Sequence, residues 1–300
     1  MQTLCVQPRS AAGGAAGVVP VADYAGRAVL TELLVTPKPG LVDRRNSGAH
    51  HDMDFQTFLA SARAIAPWWR RFVEKGRETA GAPVDALLPL VRPTGVLCEQ
   101  AMFQATRGVN THKGAIFSLG LLCVGAGRLA AHRIALTRER LCAQVAHMCA
   151  GIVERELGGQ REPRTAGERV FRRHGLGGAR SEAASGFALV RAAALPAYDE
   201  LRRSGYRDEV ALLQVLLRLL AVNADTNVVS RGGLEGLEYV RHYARRLLRE
   251  GGALAPDGME KMAAFDDALI ARRLSPGGCA DLLGVAWFLA QFPAGHAEAR

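Results

Sequence analysis

Strand signals are scarce in this sequence. β-Branched residues are few and never alternate with polar ones over a long run, which excludes a sandwich, a barrel or a doubly wound sheet. The six cysteines, at 5, 98, 123, 142, 149 and 279, form no Cys-x-x-Cys pair, which removes zinc-ribbon and thioredoxin-type chemistry. Several fall on apolar helix positions, the expectation for buried free thiols in a reducing cytoplasm. No Gly-Lys-Ser/Thr occurs, so there is no Walker A loop, and there is no His-Glu-x-x-His metalloprotease motif. Gly125-Ala126-Gly127-Arg128-Leu129-Ala130 fits a dinucleotide fingerprint only loosely, inside a helical run with no preceding strand. The longest apolar stretch, Gly114 to Gly127, contains Ser118 and four glycines. It falls short of the ~18–20 residues that span a bilayer, so no membrane association is expected. Residues 1–19 are rich in Ala and Gly and lack a signal peptide's apolar core; they read as a flexible N-terminal arm.

What the chain does have is helical periodicity. Phe55, Phe58, Leu59, Ala62, Ile65, Trp69 and Phe72 mark one apolar stripe, and further stripes run along 187–201, 210–220, 237–247, 262–269 and 280–292. Residues 114–131 are apolar on all sides, the pattern of a central buried helix. The expectation is an all-α fold: one compact domain of about ten helices over residues 20–300, with 74–95 as an irregular surface excursion because of its glycines and prolines.

Between the helices lie five polar islands. Thr36 to Met53 carries Lys38, Asp43, Arg44, Asn46, His50, His51 and Asp52, with Pro37 and Pro39 stiffening it. Gly108 to Gly114 holds Asn110, Thr111, His112 and Lys113 directly before the buried helix, where Asn110 or Thr111 can cap. The third island runs from Thr165, Glu168 and Arg169 to Gly175–Ala183 with Arg180 and Glu182; the fourth is Asp225 to Gly233 with Asn227, Arg231 and Gly232. In the fifth, Ser275 to Leu282 with Gly277, Gly278 and Asp281, Ser275 reads as an N-cap and Pro276 as the first helical residue. Each combines glycine, a capping group, a helix start and a charge, the combination that favours phosphate. The formal charge of +9, almost all from arginine, suits a polyanionic ligand, and nucleic acid is one candidate. However, the arginines form no single basic tail, and a nucleic-acid role leaves the acidic residues of the glycine loops without a purpose.

In this order the islands resemble the triphosphoribosyl-dephospho-CoA synthase family. The segments that carry the resemblance are Thr36–Met53, Gly108–Leu122, Thr165–Arg169, Gly175–Phe187, Asp225–Gly233 and Ser275–Leu283. Together they reach along nearly the whole chain after residue 20. The resemblance implies an all-helical cytoplasmic enzyme that joins ATP and 3′-dephospho-CoA, releases adenine, and makes 2′-(5″-triphosphoribosyl)-3′-dephospho-CoA. That product would pass to a transferase that modifies an acyl carrier protein of citrate lyase or malonate decarboxylase. The separate synthase chain and the wording of the motifs point to the malonate system, and a homodimer is compatible with them.

Such chemistry needs cations for a triphosphate, a carboxylate beside an oxocarbenium-like centre, a proton donor for adenine and a base for the attacking hydroxyl. Lys38, Arg44, Lys113 and Arg231 are the expected triphosphate ligands, with backbone N–H groups near Gly232 and Gly278. Asn46, Asn110, Thr111, Arg180, Glu182, Asn227, Gly277 and Asp281 complete the expected binding set. Of the available carboxylates, which also include Glu32, those expected to share Mg²⁺ binding and general-base work are Asp43, Asp52, Glu168 and Asp225. His50 and His112 are the expected proton donors. On this reading Asp43→Asn and Asp225→Asn abolish adenine release while the fold survives. The rival activity is an all-helical Mg²⁺-dependent nucleotide or riboside hydrolase, which would use nearly the same residue types.

Overall fold

A computed structural model describes residues 18–159 and 162–295. Among the described residues there are thirteen α-helices and no strand. The first five are α1 (Val18–Leu34), α2 (Phe55–Glu78), α3 (Leu87–Ala105), α4 (Lys113–Ala131) and α5 (Arg138–Met148). Three short ones follow, α6 (Ile152–Leu157), α7 (Ala166–His174) and α8 (Ala179–Ala184). The rest are α9 (Leu195–Arg203), α10 (Asp208–Val222), α11 (Thr226–Arg249), α12 (Gly258–Ala271) and α13 (Gly277–Ala290). The all-α expectation holds, and the count exceeds about ten because α6, α7 and α8 are too short and polar to show a stripe. The arm expected at 1–19 lies outside the described residues except for Val18 and Val19, which open α1.

Helix α4 is the central element, packed against α1, α2, α3, α5, α8 and α13. Its length and composition alone would let it cross a membrane, but its residues from Ser118 to Gly127 are all buried within the fold. Burial of each Ile116, Leu119 or Leu122 side chain stabilises the fold by roughly 1.5–3 kcal/mol. The glycines that imitated a dinucleotide fingerprint have a packing cause. A Cβ on Gly127 would lie 2.0 Å from the carbonyl oxygen of Val73, and one on Gly76 would lie 2.0 Å from that of Val124. Helices α2 and α4 therefore touch backbone to backbone.

The stretch 74–95 is not an excursion. Helix α2 runs on to Glu78, and α3 starts at Leu87 with Leu87, Leu88, Val91, Cys98 and Met102 buried. Pro89 falls in its first turn, where no intrahelical N–H is required, and Pro93 lies inside the helix. Cys98, Cys123, Cys142, Cys149 and Cys279 are free and buried, with burial pushing Cys98, Cys142 and Cys149 up to about 12.

Candidate functional site

The connection between α1 and α2 is buried from Pro37 to Asp43, so its backbone must find partners inside the protein. Two aspartates supply them. Asp43 accepts from the N–H groups of Lys38 (2.7 Å), Arg45 (2.6 Å) and Asn46 (3.3 Å). Asp266, on α12, accepts from Gly40 N–H (2.9 Å), Asn46 Nδ2 (2.8 Å) and the Arg45 guanidinium. Burial pushes the Asp266 carboxyl up, and the bonds from Asn46, Gly40 and Arg45 oppose the shift. This frame presents the far end of the loop, His50 to Met53, to a cleft of about 620 Å³.

Helices α4, α7, α11 and α13 open their N-termini onto that cleft, as does the short α8. Lys113 and Gly114 come from α4, Ala166 and Gly167 from α7, Thr226 and Asn227 from α11, and Gly277 and Gly278 from α13. The cations Lys113, Arg180 and Arg231 stand in its wall, as do the carboxylates Glu32, Asp52 and Asp281. Segments far apart along the chain thus meet at one place, with partial positive charge from several helix ends aimed into it.

Asp225 staples two of these ends together. Its Oδ1 accepts from the N–H groups of Asn227 (2.9 Å) and Val228 (3.3 Å), capping α11, and its Oδ2 accepts from Cys279 N–H (2.8 Å) in the first turn of α13. Burial raises its pKa, the backbone bonds opposing. Ser275 is therefore not the cap of α13. Pro276 holds the N-cap position without a side-chain bond, and Ser275 Oγ instead meets His50 Nε2 at 2.9 Å. His50 Nδ1 lies 3.2 Å from Arg231 Nη2, whose Nη1 donates to the carbonyl of Ala49 at 2.9 Å. Burial first, then the Arg231 charge, lowers the pKa of His50.

Asp281 reaches the amino end of α4. A Cβ on Gly114 would fall 1.9 Å from its Oδ2, so only glycine lets the carboxylate settle there and take the N–H of Ala115. Burial, then the charges of Glu32 and Asp225, raise the pKa of Asp281 well above the ordinary carboxylate range. Behind it, the buried Lys38 ammonium pairs with the Glu32 carboxylate and donates to the Glu32 carbonyl at 2.8 Å. His112 is buried, with its ring edge-on to Phe58. Thr111 Oγ1 donates to Ser61 Oγ (2.7 Å), which lies 2.7 Å from His112 Nδ1, and Nε2 has no protein partner. Burial, then the Lys38 charge, lowers the His112 pKa to about 3, so it is a neutral imidazole and not an acid at ordinary pH.

Several expected site residues stand elsewhere. Arg44 points to the surface and pairs with Glu209 at 2.6 Å. Asn46 and Asp43 serve the loop frame described above. Glu168 takes the N–H of Arg164 at 2.7 Å at the start of α7, which lowers its pKa. Glu182 accepts from Leu189 N–H at 3.3 Å and fixes the turn after α8, its pKa raised by burial. Gly232 is a packing glycine, since a Cβ there would meet Leu274 Cδ2 at 2.5 Å. The four carboxylates expected to share a metal are not assembled: Asp52 alone of them lines the cleft, and no group of three or more His, Cys, Asp or Glu among the described residues could hold an ion. They do not fit a resident metal. Lys38, Asn110, Thr111, Lys113, Arg180, Asn227, Arg231, Gly277, Gly278, Asp281, His50, His112 and Asp52 are brought to the cleft or directly behind its wall. Asn110 Oδ1 accepts from Lys113 N–H at 3.2 Å at the start of α4, whose N-cap position is held by His112 without a side-chain bond, rather than by Asn110 or Thr111.

The fold is all-helical, and its cleft gathers helix N-termini with the cations Lys113, Arg180 and Arg231. The model of the CitG family, described as ATP:dephospho-CoA triphosphoribosyl transferase, matches residues 20–299. A 2-(5″-triphosphoribosyl)-3′-dephosphocoenzyme-A synthase of Klebsiella pneumoniae is 53% identical over 272 residues, 90% of this chain and 89% of that protein. Synthases of the same name from Escherichia fergusonii and Pectobacterium atrosepticum are 50% and 53% identical over 278 and 266 residues, covering 92% and 89% of this chain and 92% and 87% of theirs. The chain belongs to the ATP:dephospho-CoA triphosphoribosyl transferase family. No solved structure matches it.

Proposed function

We propose that this chain joins ATP to 3′-dephospho-CoA, releasing adenine and forming 2′-(5″-triphosphoribosyl)-3′-dephospho-CoA. The observation that carries the reading is the meeting of several helix N-termini with Lys113, Arg180 and Arg231 around one cleft, in a chain whose relatives carry that name. ATP keeps its triphosphate through the reaction, so the helix ends with Lys113 and Arg231 hold it without having to cleave it. Magnesium arrives with the triphosphate as part of the substrate.

The bond that breaks is C1′–N9 of ATP, and the bond that forms joins C1′ to the 2′-oxygen of dephospho-CoA. The departing adenine needs a proton. Asp281, whose surroundings favour its protonated form, is the cleft group suited to give it. Asp52, exposed at the rim, is suited to take the proton of the 2′-hydroxyl. The neutral His112 offers its unpartnered Nε2 as a fixed hydrogen-bonding group in the wall. A single displacement converts the β linkage of ATP to an α linkage; a retained configuration or a trapped ribosyl-enzyme would rule it out. The enzyme works in the cytoplasm, and its product passes to a transferase that modifies an acyl carrier protein, that of malonate decarboxylase on the wording of the motifs.

The test is mass spectrometry after incubation with ATP, Mg²⁺ and dephospho-CoA. Free adenine together with a CoA derivative heavier by a triphosphoribosyl group is the expected result. Adenine or phosphate with unaltered dephospho-CoA would replace the transferase reading with the hydrolase one.

A further inference from the structure

A second cavity, about 370 Å³, opens between α3 and α4 and is continuous with the first: Lys113, Gly114, Ala179 and Arg180 line both. Its size is within the roughly 300–1,000 Å³ of small-molecule pockets. The wall away from the junction is apolar, built from Phe72, Leu88, Val91, Ile116, Leu121 and Val124. Its five charged side chains are paired among themselves: Lys113 with Glu99 at 3.0 Å, and Glu156 with both Arg180, at 2.7 Å, and Arg92. Two of the cations, Lys113 and Arg180, therefore stand where the two cavities meet.

We propose that this groove holds the pantetheine arm of dephospho-CoA, with Arg180 at the junction meeting the pyrophosphate that joins the arm to the nucleoside. The assignment rests on dephospho-CoA being a substrate. That molecule has an apolar, branched arm, then a diphosphate, then a ribose whose 2′-hydroxyl must reach the reacting centre. The two cavities offer the same order: an apolar groove, a cationic junction, then the polar cleft. The adenine of ATP is the wrong occupant, because a leaving base needs a proton donor. The apolar wall has none, whereas Asp281 is in the cleft.

The test uses Gly95→Phe. Gly95 lines the groove, and a Cβ there would have no atom within 4 Å, so the ring enters open space. Val96→Asp, on the rim at a side chain already 47% exposed, is the second variant. Binding of dephospho-CoA and of ATP to the wild type and both variants is measured separately by isothermal titration calorimetry, with circular dichroism to verify the fold. The expected result is dephospho-CoA binding weakened by about tenfold in both variants, with ATP affinity unchanged. Unchanged dephospho-CoA affinity in folded variants, or a loss of ATP affinity instead, would overturn the assignment. Product formation by the wild type tests the transferase reading independently of this titration. A wild type that turns over normally alongside indifferent variants would therefore remove the groove alone.

Discussion

Asp225→Asn separates a residue that builds the site from one that performs chemistry in it. The carboxylate takes three backbone N–H groups, two at the start of α11 and one at the start of α13, and is nearly inaccessible to solvent. An asparagine keeps one oxygen. If that oxygen stays on Asn227 and Val228, its NH₂ faces the Cys279 N–H across 2.8 Å, donor against donor; if the amide flips, the α11 cap is lost. Either way at least one buried N–H loses its acceptor, at about 1–3 kcal/mol. The missing charge adds little, because burial outweighs the bonds and raises the pKa of Asp225. For a domain of this size the loss corresponds to roughly 2–5 °C in Tm. Scanning calorimetry on Asp225→Asn and Asp52→Asn makes the comparison. The first should melt lower and lose turnover with it. The second, at an exposed side chain, should keep its Tm and lose turnover alone. An Asp225→Asn protein with wild-type Tm and no adenine release would show that the carboxylate acts on substrate, and the structural argument would fail.

Three further outcomes follow from the geometry. Gly76→Ala or Gly127→Ala forces α2 and α4 apart and should cost about 1–3 kcal/mol or more in denaturant titration, since each new Cβ would sit 2.0 Å from a backbone oxygen. His112 has a folded pKa near 3 against an unfolded value of about 6.5, so the unfolded chain binds its proton first and stability declines as pH falls from about 6.5 toward 3. By pH 5 this one group should cost about 2 kcal/mol, and His112→Asn should flatten that part of the wild-type profile, as urea titrations across pH would detect. His50, also lowered, adds in the same direction, and the raised Asp225, Asp266 and Asp281 oppose it. Lys113→Ala should weaken ATP binding by fluorescence or calorimetric titration while leaving Tm within a degree or two, because its ion pair with Glu99 is half-exposed and contributes little; undiminished ATP affinity would remove it from the triphosphate site.

Periodicity was enough to place most of the core, because stripes such as Phe55 to Phe72 and the apolar run 114–131 declare their buried faces directly. It failed at α3, where Pro89 and Pro93 read as breakers although one falls in the first turn and the other is accommodated within the helix. At the site, the sequence pointed to loops that the fold brings together, but not to the partners each side chain takes there. Asp43, Asp225 and Glu168, expected in catalysis, and Glu182, expected in binding, each bind backbone N–H groups, a role set by local turns and invisible to residue type. Conversely, Ser61 has no motif around it and lies on an ordinary helix, and only the fold sets it against His112 and Thr111. Glu32 likewise ends up beside Lys38 because a helix terminus and a buried loop meet there, and Arg45 finds Asp266 across more than two hundred residues.

The central claim is that distant glycine-and-charge segments form one triphosphate cradle at the mouths of α4, α7, α11 and α13. A crystal structure of the complex with an ATP analogue resistant to loss of its base, with Mg²⁺, tests it most directly. The account predicts triphosphate density against Lys113, Arg231 and the N–H groups at Gly277 and Gly278, with the ribose turned toward Asp281. Density for the nucleotide on any other face, with those helix ends still in water, would contradict it.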